Sequence, residues 1–175
     1  MKYIKTYESI NGITFKQWLK SNKQDINTTS IDCRNSNLID LIGIEIFINL
    51  EVLYCYNNQL TSLPDLSNLT NLEGLYCDNN QLTSLPDLSN LTNLEVLYCY
   101  NNQLTSLPDL SNLTNLEYLF CYSNKLTSLP DLSNLTNLEI LYCDNNQLQY
   151  NDLEGYMEWH KKTYPWVWDA KKYNL

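Results

Sequence analysis

Residues 50–71 read LEVLYCYNNQLTSLPDLSNLTN, and residues 72–93 read LEGLYCDNNQLTSLPDLSNLTN. The pattern returns with a constant period of 22 residues. Such a period predicts a repeat architecture in which each unit buries its apolar side against its neighbours. The further copies are residues 94–115, residues 116–137, a copy that begins at Leu138 and fades after Leu148, and a degenerate copy at 28–49 that precedes the others.

Each copy is predicted to contain one short strand followed by a return segment. Leu53 and Cys55 alternate with Tyr54 and Tyr56, which is the two-residue period of a strand with one buried face. Pro64 prevents a strand or helix from continuing at that point. Leucines then recur at every third position, which suits a 3₁₀-like or extended segment better than an α-helix. In the first full copy these are Leu60, Leu63, Leu66 and Leu69.

The sequence before the array predicts a helical cap. Thr14-Phe15-Lys16-Gln17 is a capping-box signature for the start of a helix. Phe15, Trp18 and Leu19 then fall on one helical face. An apolar face of this kind suits the open end of a solenoid, which has to be covered.

A second short helix is predicted after the array, starting at Asn151-Asp152-Leu153-Glu154 and broken by Pro165. Its packing face is predicted to comprise Leu153, Tyr156, Met157 and His160. Aromatic side chains cover open ends well, and all four tryptophans lie in the two flanks: Trp18, Trp159, Trp166 and Trp168. We therefore divide the chain into an N-terminal cap at 1–27, an array of about six repeats at 28–149 and an aromatic-rich C-terminal cap at 150–175.

Each unit follows the pattern L-x-x-L-x-C-x-x-N-x-L, carried in the first full copy by Leu50, Leu53, Cys55, Asn58 and Leu60. This pattern resembles the leucine-rich-repeat motif, with cysteine in the slot usually held by a third leucine, over roughly residues 28–149. The resemblance implies an α/β solenoid: a right-handed superhelix with short parallel β-strands on the concave face, 3₁₀ or extended convex segments and short helical caps. It also implies that the repeated asparagine hydrogen-bonds the backbone where the chain leaves the strand, and links neighbouring repeats. That column is Asn58, Asn80, Asn102, Asn124 and Asn146, with Ser36 in the degenerate copy.

All six cysteines fall in one column of the stacked repeats, on the side predicted to face the core. Buried free cysteine behaves as a small apolar residue, so we predict reduced, structural thiols in a reducing compartment. Neither a histidine nor a C-x-x-C pair accompanies them, and no metal site is predicted. The column is Cys33, Cys55, Cys77, Cys99, Cys121 and Cys143.

The other face of the strands is predicted to form a concave surface lined by tyrosine. Tyrosine suits strands and stacks on itself, which is a structural explanation for the stripe. A continuous aromatic stripe with an acidic rim is also typical of a binding surface. We expect specificity to reside where Asp78 and Asp144 interrupt the stripe, with Gly74 forming a notch. The predicted binding residues are Tyr54, Tyr56, Tyr76, Asp78, Tyr98, Tyr100, Tyr118, Phe120, Tyr122, Tyr142 and Asp144.

The charge is uneven along the chain. The formal net charge is −9, and from Leu50 to Gln147 eleven acidic residues stand against one basic residue, Lys125. Because an acidic surface repels phosphate backbones, the predicted partner is a neutral or basic protein or peptide and not nucleic acid. The aspartates after the repeat prolines are expected to form a solvated convex face. They are Asp65, Asp87, Asp109 and Asp131.

Neither a membrane nor a secretory location is predicted. No apolar run approaches the roughly 20 residues that a membrane helix needs. The N-terminus, MKYIKTYE, lacks the apolar core of a secretory signal. We therefore expect a cytoplasmic protein.

Catalysis is not predicted. The one histidine, His160, lies in the C-terminal cap, so the array holds no Ser–His or Cys–His pair. The carboxylates of the array are equivalent by repetition, whereas acid–base catalysis needs two in different environments. We predict neither a cofactor nor a metal.

Three functions remain open from the sequence. The first is a protein–protein interaction module that binds a peptide or folded partner on the tyrosine-lined face. The second is a structural or self-associating repeat protein, and the third is glycan binding, because aromatic faces stack on sugars. In the near-identity of its repeats and in their richness in Asn, Tyr and Ile, the chain resembles the leucine-rich-repeat proteins of giant DNA viruses or AT-rich bacteria. That likeness implies a host protein as partner and, for a virus, the host cytoplasm as location.

Overall fold

The structure is a computed structural model and describes residues 12–165. One six-stranded parallel sheet runs through the repeats, with the strands in chain order. Each residue of the first five strands pairs with the residue 22 positions later in the next strand, as Leu53 does with Leu75. The predicted parallel solenoid is therefore confirmed. The strands are β1 (Ser30–Asp32), β2 (Val52–Tyr54), β3 (Gly74–Tyr76), β4 (Val96–Tyr98), β5 (Tyr118–Phe120) and β6 (Ile140–Tyr142).

The core forms because alternate side chains of each repeat point inward. In β3 the side chain of Leu75 is fully buried, and so is that of Cys77 just beyond the strand. The return segments add further buried leucines and are extended, with single tight turns. Leu69 and Leu72, for example, each donate their N–H to the carbonyl three residues earlier at 2.9 Å. One 3₁₀ turn, Ile44–Ile46, stands in the degenerate repeat.

A ladder of buried asparagines joins the repeats. The Asn102 amide nitrogen donates to the carbonyl of Cys77 in the preceding repeat and to that of Cys99 in its own, both at 3.1 Å. Its oxygen accepts from the N–H of Leu82, again in the preceding repeat, at 2.9 Å. The other members of the column bond in the same way, so the predicted structural role is confirmed.

The residue before each ladder asparagine has a left-handed backbone conformation. Asn101, for example, has φ of 50° and donates its N–H to the carbonyl of Tyr122 at 3.1 Å. Asparagine tolerates this conformation better than most side chains. Four of the five equivalent positions are asparagine and the fifth is Ser123, with φ of 53°. Left-handed geometry thus accounts for the asparagines of this column.

The aspartates after the repeat prolines form turns on the exposed outer side of the return segments. The Asp65 carboxylate accepts the N–H of Ser67 at 2.8 Å. The same contact recurs at Asp87, where the N–H of Ser89 donates at 2.9 Å. These bonds stabilise the charged carboxylate and lower the pKa of both aspartates. Their predicted exposure is confirmed, and the turn explains why they recur.

Helix α1 (Phe15–Asn22) closes the N-terminal end of the array. Its capping box is present: Thr14 Oγ1 accepts from the N–H of Gln17, and the Gln17 side chain accepts from the N–H of Thr14. Phe15 and Trp18 are buried as predicted, and the Trp18 indole N–H donates to Ser36 Oγ at 3.1 Å. The cap is therefore tied directly to the degenerate repeat.

Helix α2 (Leu153–Thr163) closes the other end. The chain first turns back, and Asn151 accepts the N–H of Cys143 at 2.8 Å while Asp152 forms an antiparallel bridge with Tyr142. Tyr156 and His160 are buried, and Met157 lies on the same side of the helix with its side chain 38% exposed. The expected roles of Trp166 and Trp168 fall outside the described residues. The domain bounds stay a prediction.

Neither helix of the described segment is long and apolar enough to cross a membrane.

Candidate binding surface

Two columns of side chains cover the face of the sheet that points away from the core. The first column lies at the last residue of each strand, and the register of the sheet places its members side by side. The second column lies two residues further along each repeat. We call the two columns together the tyrosine face. The first is Tyr54, Tyr76, Tyr98, Phe120 and Tyr142, and the second is Tyr56, Asp78, Tyr100, Tyr122 and Asp144.

The aromatic rings of the first column stack on one another. Tyr98 and Phe120 are nearly parallel, with ring centroids 4.3 Å apart and an interplanar angle of 5°. Tyr54 stacks on Tyr76 at 4.7 Å, and Phe120 contacts Tyr142 at 4.9 Å with a tilt of 48°. Each inner ring therefore contacts a ring on both sides, and stacks face to face with at least one of them. Tyr142, at the end, is the most exposed, at 47%.

The second column carries charges as well as rings. Arg34 lies one period before Tyr56 and extends this column into the degenerate repeat, although the sequence analysis did not assign it to the face. The Arg34 guanidinium lies 5.6 Å from the Tyr56 ring centroid and donates to the Tyr56 hydroxyl at 2.6 Å. It also pairs with Asp32, Nε to Oδ2, at 3.1 Å. Further along, Tyr100 and Tyr122 stack at 4.4 Å with an angle of 8°.

Asp78, one of the residues predicted to line the binding face, is buried. Its side chain is only 3% exposed. The carboxylate accepts a hydrogen bond from Asn79 Nδ2 at 2.7 Å, and it is hydrogen-bonded by the Tyr100 hydroxyl. Burial raises the pKa of Asp78, and the two hydrogen bonds oppose that rise only in part. The same carboxylate and burial raise the pKa of Tyr100. Asp78 thus serves the packing of the face and does not present a charge to solvent.

Gly74 does not leave the open notch expected from the sequence. A Cβ atom at Gly74 would lie 2.9 Å from Cε2 of Tyr76 and 3.4 Å from Val52. The ring of Tyr76 therefore occupies the space beside Gly74. Tyr76 meets Tyr98 edge-on, with an interplanar angle of 78°, where Tyr98 and Phe120 lie parallel. The missing side chain changes the tilt of a ring and leaves no hole.

Tyr118 lies at the start of β5, on the same side as Phe120, and its partners in the sheet are Val96 and Ile140. Its hydroxyl donates to Glu139 Oε2 at 3.2 Å. That carboxylate raises the pKa of Tyr118. The sheet thus brings all eleven predicted site residues to one face, ten in the two columns and Tyr118 beside them.

A shallow depression of about 420 Å³ lies at the C-terminal end of the tyrosine face. It is lined by Phe120, Tyr122, Tyr142, Asp144 and Asn145. Asp144 is only partly buried, unlike Asp78, and its Oδ2 accepts from Asn145 Nδ2 at 2.7 Å. In this hollow a carboxylate and ring surfaces are accessible side by side.

A second cavity, of about 310 Å³, lies between the last repeats and α2. Leucine side chains and Tyr156 form most of its walls. Tyr156 also holds the cap in place, because its hydroxyl accepts the N–H of Leu132 at 3.0 Å. His160 lines the cavity as well and lies 3.6 Å from Asp131, Nε2 to Oδ1.

The cysteine column is buried as predicted, and none of its six thiols is paired in a disulfide. Burial raises the pKa of Cys33 and of Cys143 to about 12 and that of the inner thiols further. These thiols stay protonated near neutral pH, so they are poor nucleophiles and poor metal ligands. Among residues 12–165 no group of three or more histidine, cysteine or carboxylate side chains is placed to hold a metal ion.

A search of the curated proteins finds no match. Among solved structures, an internalin, inlF, of Listeria monocytogenes is 31% identical, with a TM-score of 0.62, over 68% of this chain and 35% of that one. The functional domain of InlJ from the same species, described as including a cysteine ladder, is 36% identical with a TM-score of 0.53, over 70% and 31%. YopM from Yersinia enterocolitica is 25% identical with a TM-score of 0.61, over 83% and 38%. This chain therefore spans about a third of the length of each.

The family model described as Leucine Rich repeats (2 copies) matches four overlapping windows, residues 48–90, 70–112, 92–134 and 114–155. Together they cover more than half of the chain. The matched residues include strands β2 to β6 and the whole asparagine ladder. The chain belongs to the leucine-rich-repeat family.

Proposed function

We propose that this protein is a non-catalytic binding module that holds a partner protein or peptide on the tyrosine face. The observation that carries the proposal is the accessible edge of a continuous aromatic stack, which runs from Tyr54 to Tyr142. Leucine-rich repeats generally serve as scaffolds for protein–protein interaction. An aromatic surface of this extent is uncommon on a protein that binds nothing.

Preorganisation supports binding on this face. Each inner ring is held by its neighbours, as Tyr98 is by Tyr76 and Phe120. Side chains that are already ordered lose little conformational entropy when a partner binds. Tyrosine adds a large apolar area and a hydroxyl that can hydrogen-bond the partner.

The proposed partner is neutral or basic, since the repeats carry acidic side chains and only one lysine. A nucleic acid is disfavoured because its phosphates would be repelled. The proposal includes a reducing, cytoplasmic location, in support of which stand six buried thiols without disulfides.

Self-association is a second candidate, favoured by an apolar patch on the degenerate repeat. Ile42, Ile46 and Ile48 are 69%, 49% and 58% exposed. One period later the chain has Pro64, Asn68 and Thr70. A mass that rises with concentration in sedimentation equilibrium, and is restored to the monomer by Ile42→Ser with Ile48→Ser, would support this candidate. Glycan binding is less well supported, because stacking between neighbouring rings leaves less ring face open to a sugar.

The proposed function is tested with a displayed library of random peptides. Immobilised wild-type protein is expected to enrich a family of peptides that the folded triple variant Tyr76→Ala, Tyr98→Ala, Phe120→Ala does not bind. The matched control carries Thr61→Ala, Thr83→Ala and Thr105→Ala, three exposed residues outside the tyrosine face. Circular dichroism checks the folding of both variants. Enrichment that is equal for wild type and the tyrosine variant would show that the face does not bind.

A further inference from the structure

Both columns of the tyrosine face end at the depression lined by Phe120, Tyr122, Tyr142 and Asp144. Tyr122 has the ring of Tyr100 on one side at 4.4 Å. On its other side the next member of the column is Asp144, which is not a ring. One face of Tyr122 therefore borders the hollow, whereas each inner ring of the first column has a ring on both sides.

The carboxylate at the end of the column is accessible. Asp144 is partly exposed, and the contact from Asn145 engages its Oδ2 only. Asp78, in the same column, is buried and hydrogen-bonded by Tyr100. Of the two aspartates, only Asp144 can present a charge to a ligand.

The other end of the same column shows which chemistry such a site takes. There the guanidinium of Arg34 lies over the ring of Tyr56 at 5.6 Å and pairs with the Asp32 carboxylate at 3.1 Å. A ring and a carboxylate together hold a cation, because the ring quadrupole and the negative charge both attract it. The planar guanidinium also stacks on an aromatic ring.

At the C-terminal end the ring and the carboxylate are present without a cation from the repeats. Lys125, the one basic residue between Leu50 and Gln147, donates its ammonium to Gln103 Oε1 at 3.2 Å and is thereby directed to the preceding repeat. Its charge does not neutralise Asp144. At this end too a ring and a carboxylate lie together, and here they border an accessible hollow.

We infer that the hollow formed by Phe120, Tyr122, Tyr142 and Asp144 is a binding site for a cationic side chain, an arginine or lysine of the bound partner. The inference rests on the proposed function and deepens it. The cation stacks against Tyr122 and Tyr142 and pairs with Asp144. The partner then lies along the tyrosine face with a basic residue at the C-terminal end.

The site is tested with N-acetyl-arginine methylamide, followed by amide chemical shifts of the ¹⁵N-labelled protein. The uncharged analogue N-acetyl-citrulline methylamide is the matched ligand. The arginine probe is expected to shift the amides of Phe120, Tyr122, Tyr142 and Asp144, and the citrulline probe is not. Asp144→Asn and Tyr142→Ala are each expected to weaken binding about three- to fivefold, the scale of an exposed cation–π or ion-pair contact. Asp87→Asn, at an exposed aspartate of the return segments, is expected to leave it unchanged.

Two results would overturn the inference: equal shifts from arginine and citrulline, or equal affinity of wild type and the Asp144→Asn variant. The peptides from the library experiment separate this failure from that of the proposed function. If the enriched peptides need Tyr98 but bind the Asp144→Asn variant as well as wild type, the tyrosine face is the binding site and the proposed cation site is refuted. If the arginine probe binds but no peptide is enriched on the tyrosine face, the cation site stands and the proposed function is refuted.

Discussion

Asp78 and Asp144 occupy the same column three repeats apart, yet Asp78 is 3% exposed and Asp144 is only partly buried. The difference comes from the next residue in the column. Tyr100 follows Asp78, covers it and hydrogen-bonds its carboxylate. Asp144 ends the column and borders a hollow. Two identical side chains in equivalent repeats therefore meet different dielectric surroundings.

The burial of Asp78 predicts a pH-dependent stability. Its pKa is raised in the folded protein, so folding favours the protonated form, and wild-type stability falls as pH rises from the unfolded pKa through the folded one. Asp78→Asn removes this penalty. The free energy of unfolding of the variant relative to wild type is expected to increase between pH 3 and pH 7, as measured by urea denaturation at several pH values.

Asp87→Asn is the matched control with the opposite sign. The N–H of Ser89 lowers the pKa of Asp87, so the stability it contributes is present above the unfolded pKa and is lost as pH falls through the folded one. Its variant should therefore lose stability relative to wild type as pH rises. A parallel pH dependence of the two variants would contradict the buried environment assigned to Asp78.

The asparagine ladder predicts a large loss of stability on truncation. Asn102→Ala removes the acceptor of the Leu82 N–H and the donor to the Cys77 and Cys99 carbonyls. Buried backbone groups without partners cost free energy, and we expect a loss of about 2–4 kcal/mol in urea unfolding. Asn112→Ala, at an exposed asparagine of the return segment, is expected to change stability by less than about 0.5 kcal/mol. Similar losses for both would mean that the ladder bonds contribute little.

The left-handed position predicts a stabilising substitution. Ser123 has φ of 53°, and the equivalent residue is asparagine in the other four repeats. Asparagine tolerates this conformation better than serine, so Ser123→Asn is expected to raise the free energy of unfolding by about 0.5 kcal/mol. Ser123→Val should lower it, because a β-branched side chain resists a positive φ. Thermal unfolding of the three proteins measures the order, and a valine variant as stable as wild type would show that the position is not strained.

The cysteine column predicts protected thiols. The pKa of Cys33 and of Cys143 is raised to about 12, and burial shields all six. At pH 8 the native protein is expected to react with iodoacetamide slowly, with Cys33 and Cys143, at the ends of the column, labelled before Cys99. Mass spectrometry of peptides after timed labelling gives the order, and the urea-unfolded protein is the reference. Fast labelling of Cys99 in the native state would be inconsistent with a packed core.

The 22-residue period alone predicts the strands, their register and the buried column of Cys77 and its equivalents. It does so because stacked repeats place equivalent residues in equivalent surroundings. That reasoning breaks down where repeats differ. The burial of Asp78 depends on Tyr100 in the next repeat, and the tilt of Tyr76 depends on the absence of a side chain at Gly74. Arg34 was not predicted because the degenerate repeat resembles the others mainly at its core positions. Its position one period before Tyr56 can nevertheless be read from the sequence.

Because the register between strands is constant, every repeat adds the same length to the sheet. Each repeat joins the next through the same strand pairing and the same asparagine bonds. Duplicating one 22-residue unit in the middle of the gene would therefore create no junction that the protein does not already contain. The face would lengthen by one strand spacing, about 4.8 Å, and Arg34 and Asp144 would move apart by that step while each kept its own surroundings. The length of the tyrosine face and the chemistry at its two ends can thus change independently in this chain.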